Sequence, residues 1–190
     1  MESEETGSGI KWNIAVDGSE MSEDAFSIVF NDLKKSDDYI YVSHVFTNSK
    51  DYLSYKFKPD IIKQNYEAKL IGTHSSKWSL VWEHREKDHR TKEHIMKIAD
   101  HTKSDVLVLG YHGRKGPKED PTLLGSAVEY MAHNPVCPAL IIKSKEERKS
   151  KENGAFRWLV CSDGSEKSYT ALRETIQLMD KEKDLSLIHI

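Results

Sequence analysis

Cysteine is scarce in this chain, with Cys137 and Cys161 the two examples in 190 residues. A single pair provides no disulfide framework, and both stand in apolar, strand-like surroundings where a reduced, inert thiol is the usual state. Neither is assigned as a nucleophile. No apolar run approaches the roughly 20 residues that cross a bilayer. The opening Met1-Glu2-Ser3-Glu4-Glu5 lacks the basic start and apolar stretch of a secretory signal. A cytoplasmic location without membrane contact is expected. No charge of one sign dominates either: 28 basic and 31 acidic residues, mixed along the chain, leave a net charge of -3. Nothing therefore marks nucleic acid or anionic lipid as a partner. What is present is 37% apolar residues, enough for the core of one domain with some chain left over.

Hydrophobic patterning divides the chain into alternating elements. Trp12 to Val16 reads as a buried strand, and Ala25, Ile28, Val29 and Leu33 then recur at helical spacing. Tyr39 to Val45 supplies a second strand, Ser79 to Trp82 a third, Val106 to Leu109 a fourth and Ala139 to Ile142 a fifth. Helical faces fall between them: Ile61, Ile62 and Tyr66; Ile95, Ile98 and Ala99; then Val128 and Met131, stopped by Asn134-Pro135. This alternation predicts an α/β fold with a doubly wound, five-stranded parallel sheet covered on both faces, for which the Rossmann-like order 3-2-1-4-5 is expected.

The expected divisions are a disordered tail over 1–10, one domain over 11–143, a charged linker over 144–156, and a further segment from 157. That segment repeats the beginning. Aligning Lys11 to Ala25 with Arg157 to Ala171 gives seven identities in fifteen positions, among them Trp12/Trp158, Asp17/Asp163, Gly18/Gly164 and Ser19/Ser165. The pattern is a tandem duplication whose second copy looks truncated at 190. The final Leu185-Ser186-Leu187-Ile188-His189-Ile190 also matches the in-frame translation of a sequencing adapter, against which stands a genuine strand resembling Tyr39 to Val45 after a one-residue slip. Resequencing the transcript decides between these.

The fourth strand runs into Gly110, Gly113 and Gly116, and Gly125-Ser126 then opens a helix. Freed N–H groups at a helix start favour phosphate, and glycine lets a ligand approach the backbone closely. In a doubly wound sheet ligands sit beyond the carboxyl ends of the strands where the winding reverses, here between strands one and four. Asp17 follows strand one directly, so its loop faces the glycine loop across one crevice. Asp17 and Glu20 would repel phosphates, which assigns the phosphates to Gly125 and Ser126 and the nucleoside to Asp17. Arg114, Lys115 and Lys118 are placed to balance phosphate charge.

At these residues the chain resembles the universal stress protein family over roughly Lys11 to Lys143. The resemblance is carried by Val16-Asp17-Gly18-Ser19-Glu20, His44-Val45, Gly110-Tyr111-His112-Gly113, Gly125-Ser126 and Cys137-Pro138. It implies ATP, with or without Mg, as ligand. The adenosine part would lie on Asp17 and Val45, and ribose and phosphates on Gly110, His112, Gly113, Gly125, Ser126 and the Ala127 that follows. It also implies a homodimer, or pairing within a tandem. Two features depart from the family's ATP pattern: eleven residues, Arg114 to Leu124, separate Gly113 from Gly125 where nine are usual, and Ala127 stands where Val is usual.

Other polar residues have simpler explanations. His84, His89, His94 and His101 read as a solvated helix face, since His94 and His101 are two turns apart, about 10 Å, and not at the i, i+4 spacing of a helical zinc site. No metal ligands are assigned. His112 is equally a ligand contact or an exposed loop histidine. Ser19 and Ser22 read as helix caps, and Trp12 and Trp158 as packing residues. No general base or Walker lysine accompanies the glycine loop, so no catalytic residue is assigned and turnover is expected to be absent or very slow. The leading expectation is a nucleotide-dependent stress-signalling module. The alternative is a ligand-free dimerisation domain, and an ATP-cleaving ligase of related fold ranks below both.

Overall fold

The computed structural model describes residues 9–47, 53–72, 77–116, 123–143, 155–180 and 182–189. The chain opens with β1 (Lys11–Ala15), whose Trp12, Asn13 and Ile14 are fully enclosed. It turns at Gly18, where a φ of 80° requires glycine, and enters α1 (Glu20–Ile28). Ser19 caps that helix by accepting from the Ser22 N–H, while Glu20 and Glu23 place acidic charge in the first turn. A π-helical turn (Val29–Leu33) finishes it. Next come β2 (Tyr39–Phe46), a 3-10 turn (Tyr55–Phe57), and α2 (Pro59–Ile71), whose proline at the first position loses no hydrogen bond. β3 (Lys77–His84), α3 (Thr91–His101), β4 (Val106–Gly110), α4 (Ser126–His133) and β5 (Ala139–Ile142) complete the run.

The five strands form one parallel sheet in the order β3-β2-β1-β4-β5, as expected. Alternation along the strands sends Trp12, Ile14, Ile40, Val42, Val106 and Val108 to one face, where Phe26, Val29, Ile62 and Tyr66 of α1 and α2 cover them. The other face carries Ala15, Val45, Leu107 and Leu109 under Ile95, Ile98, Val128 and Met131 of α3 and α4. Each connection crosses to a helix and returns, so the winding reverses between β1 and β4.

Asp38 ties the start of the sheet together. It is enclosed, and its carboxylate accepts from the Ile10 N–H at 2.8 Å, the Trp12 Nε1–H at 2.8 Å and the Lys35 N–H at 2.9 Å. Ile10 is therefore packed in place, at the end of the stretch expected to be a disordered tail; residues 1–8 lie outside the described residues.

After 154 the chain forms β6 (Arg157–Cys161), α5 (Glu166–Leu178) and β7 (Leu185–His189), with β6 and β7 paired in parallel. This unit repeats the β1-α1-β2 geometry closely. Asp184 accepts from Phe156 N, Trp158 Nε1 and Asp180 N at 2.7, 2.8 and 3.0 Å, as Asp38 does from its partners. Ser165 caps α5 through Ser168 N, and Gly164 has φ of 78°. Trp158 stands opposite Ser186 as Trp12 stands opposite Ile40, the same backbone register in both pairs. Phe156, Trp158 and Leu178 pack against the first core cluster, and the Lys35 ammonium donates to the carbonyls of Gln177 and Met179 at the end of α5. Most of the linker, 144–154, lies outside the described residues.

Cys137 is half-buried before β5, and burial raises its thiol pKa. Cys161 is exposed, contrary to the expectation of apolar shielding for both. It ends β6, where Val160 is the strand's one enclosed side chain.

Candidate functional site

The loops at the carboxyl ends of β1 and β4 meet. Asp17, just after β1, uses Oδ1 to accept from the backbone N–H and hydroxyl of Ser19, which closes the tight turn into α1. Its Oδ2 accepts from the Arg114 N–H at 2.7 Å, directly across the crevice in the glycine loop. The Arg114 guanidinium stays with it: Nε is 3.9 Å from the same Oδ2, and Nη1 donates to the Phe57 carbonyl at 3.2 Å. The two loops therefore meet as the winding predicts, with Asp17 on one side and Arg114 bridging from it to the 3-10 turn.

Beside this bridge lies a cavity of about 230 Å³, lined by His44, Val45, Phe46, Pro59, Thr91 and Arg114 among others. This volume falls below the roughly 300 Å³ of a whole-ligand pocket. Val45 reaches it from β2, while His44 is turned inward and holds the Val16 carbonyl through Nδ1 at 2.6 Å. Across the crevice, α4 starts at Ser126. The N–H groups of its first turn have no acceptor within the helix, as at any helix start.

The structure brings the sequence-assigned residues into one region, with differences in what each does. A Cβ on Gly110 would lie 2.8 Å from the Met21 backbone, so this glycine seats β4 against α1. A Cβ on Gly113 would lie 2.7 Å from Asp17 Oδ2, which is why the loop and the carboxylate can meet. Gly125 donates its own N–H to the Tyr111 carbonyl at 3.1 Å, and a Cβ there would sit 2.8 Å from that oxygen. Gly125 is thus a close-packing position in the loop, and its N–H is already used. Ser126 is exposed, and Ala127 packs on the second core cluster, so Ala127 has only its backbone to offer a ligand.

His112 is buried, with its ring edge-on against Tyr111 at 4.5 Å and its N–H directed to the Met21 sulfur at 3.3 Å. The exposed-loop alternative for it does not hold, because packing on Met21 draws the turn inward. Ser19 is the helix cap expected, whereas Ser22 is enclosed and accepts from the Asp17 N–H at 3.3 Å. Pro117, Lys118 and Pro121 of the lengthened loop lie outside the described residues.

The expectation of a solvated histidine face fails at His94. It is enclosed next to Ile95 on the inner side of α3, while His101 is exposed. The separation of His94 and His101 along α3 says nothing of the Glu86 and His89 that the β3–α3 loop carries back to His94. Among the described residues, no helix is long and apolar enough to cross a membrane.

The Universal stress protein family model matches residues 13–143. No curated protein matches the sequence. Among solved structures, the hypothetical protein MJ0577 is similar at TM-score 0.52 and 24% identity, covering 73% of this chain and 98% of that one. Universal stress protein UspA from Lactobacillus plantarum is similar at TM-score 0.53 and 17% identity, with 70% and 97% covered. A universal stress protein family protein from Arabidopsis thaliana, solved with AMP bound, gives TM-score 0.50 and 18% identity, with 76% and 98% covered. At these identities the structures establish the shared fold. With the family model spanning the whole five-stranded unit, the chain belongs to the universal stress protein family.

Proposed function

We propose that the domain over 11–143 binds an adenine nucleotide, ATP foremost, in the crevice between β1 and β4, and acts in the cytoplasm as a nucleotide-dependent stress-signalling module. The observation that carries this is the meeting of Asp17 and the glycine loop at the winding reversal, beside the cavity edged by Val45. The Arabidopsis thaliana relative holds AMP on the same fold. The base enters the cavity, Asp17 receives ribose hydroxyls, and the phosphates run along the glycine loop toward the first turn of α4, with any Mg among them. Asp17 is engaged by Arg114, so binding exchanges partners: the guanidinium leaves the carboxylate and turns to the phosphates. Binding, not rapid turnover, is the output, because no general base is assigned beside the phosphate position.

Calorimetric titration with ATP and with adenosine tests this. Arg114→Ala is expected to weaken ATP at least tenfold while leaving adenosine within about threefold, and Asp17→Ala to weaken both. Normal binding by both variants, with circular dichroism showing intact folds, contradicts the site.

A second reading, dimerisation without nucleotide, is favoured by β5. It is the sheet's four-residue edge strand, and Ile141 and the nearby Val136 leave apolar surface exposed. Absence of saturable binding at millimolar ATP, together with a concentration-dependent dimer, supports it.

A further inference from the structure

The passage from β3 into α3 gathers ligating side chains that nucleotide binding does not use. His94, early in α3, is turned inward with its side chain 4% exposed, and its Nδ1 has no hydrogen-bond partner. That nitrogen points at a carboxylate, lying 3.6 Å from Glu83 Oε2. His89, in the connecting loop, packs edge-on against the His94 ring at 5.7 Å. Its Nδ1 is likewise shielded without a hydrogen bond, 3.1 Å from Glu86 Oε2. One ligating atom from each of Glu86, His89 and His94 falls within 4.8 Å of the others.

We propose that Glu86, His89 and His94 form a binding site for one divalent transition-metal ion of the zinc class. Two imidazoles with carboxylate oxygen are a donor set that zinc and its neighbours accept, whereas calcium and magnesium prefer oxygen throughout. A purely structural role accounts for one nitrogen of His94, since Nε2 accepts from the Glu86 N–H at 3.2 Å. It leaves the buried Nδ1 without a hydrogen bond, the Glu83 carboxylate standing off at 3.6 Å, and an unsatisfied buried polar atom is a cost that proteins seldom leave standing.

Loading the site asks for two local adjustments. Tetrahedral ligands about 2.1 Å from one ion lie roughly 3.4 Å apart, so the loop carrying Glu86 and His89 closes on His94 and the Glu86 N–H releases that ring. The Lys97 ammonium, 2.9 Å from His89 Nε2 and 3.9 Å from Glu86 Oε2, must also swing away. Its half-exposed side chain is free to do so. In the metal-free protein Lys97 is thus the competing cation, and removing it has a direction opposite to removing a ligand.

Zinc chloride titration by calorimetry, with cobalt(II) visible absorption as a second readout, tests the site in the Cys161→Ser protein, where the exposed thiol no longer competes. One equivalent is expected to bind. His89→Ala and Glu86→Gln, both in the loop, are expected to weaken it at least tenfold, Lys97→Ala to tighten it, and His101→Ala on the same helix to leave it unchanged. No stoichiometric zinc binding, or a His89→Ala protein that titrates like its parent, overturns the proposal.

Discussion

Single residues set the geometry of this molecule through backbone donors. Asp38 gathers three N–H groups at the amino-terminal end of the central strands, and the enclosed Trp12 indole is one of them. Removing the carboxylate strands buried donors, at about 1–3 kcal/mol for each group left unpaired. Asp38→Ala should therefore lower stability by about 3 kcal/mol, read from the midpoint of urea denaturation. Asp184→Ala should cost less, because Trp158 is only partly enclosed. Asp17 illustrates what the sequence conveyed and what it did not. Its place after β1 was legible from Val16-Asp17-Gly18-Ser19, since a turn residue at a strand end is a local signal. Its second partner was not, because Arg114 reaches it across 97 positions and no local pattern encodes that contact.

At the scale of elements, periodicity located all five strands and the four helices between them, with ends that differ by a few residues. What it missed depends on neighbours. The π-helical finish of α1 and the 3-10 turn before α2 carry no distinct spacing, and the inward side of α3 includes His94 because the β3–α3 loop folds over it. Gly125, assigned to the phosphates from the sequence, is also a packing position. Its contact with the Tyr111 carbonyl means that Gly125→Val displaces the loop itself.

The β6-α5-β7 unit carries its own acid dependence. Asp163 is lowered to about 2 by hydrogen bonds from the Ser165 side chain and backbone and from Ser168. Burial works upward on Asp184, yet the N–H donors of Phe156, Trp158 and Asp180 outweigh it and leave the carboxyl below its ordinary value. A carboxyl depressed in the folded state contributes stability that is complete above its unfolded value of about 4 and is lost as pH falls through the folded value. Urea denaturation reported by the Val160 amide should therefore show this unit weakening from about pH 4 toward pH 2. The Asp163→Asn/Asp184→Asn protein should show a flatter profile.

At the scale of the whole molecule, the five-stranded sheet of 11–143, with two helices on each face, runs its strand-to-helix loops from the carboxyl ends of its strands, beside a separate two-stranded β6-β7 sheet. The repeated geometry of the last unit, down to the three donors on Asp184, supports our proposal that it derives from a second domain of the same type. Its contacts through Phe156, Trp158 and Leu178 fall on the α1–α2 side of the sheet. The central claim is that an adenine nucleotide binds between the carboxyl ends of β1 and β4. Mapping amide chemical shifts during ATP titration tests it most directly. The account predicts saturable shifts concentrated at Asp17, Val45, Gly113, Arg114 and Ser126; shifts that stay absent at millimolar ATP, or that gather elsewhere on the molecule, would contradict it.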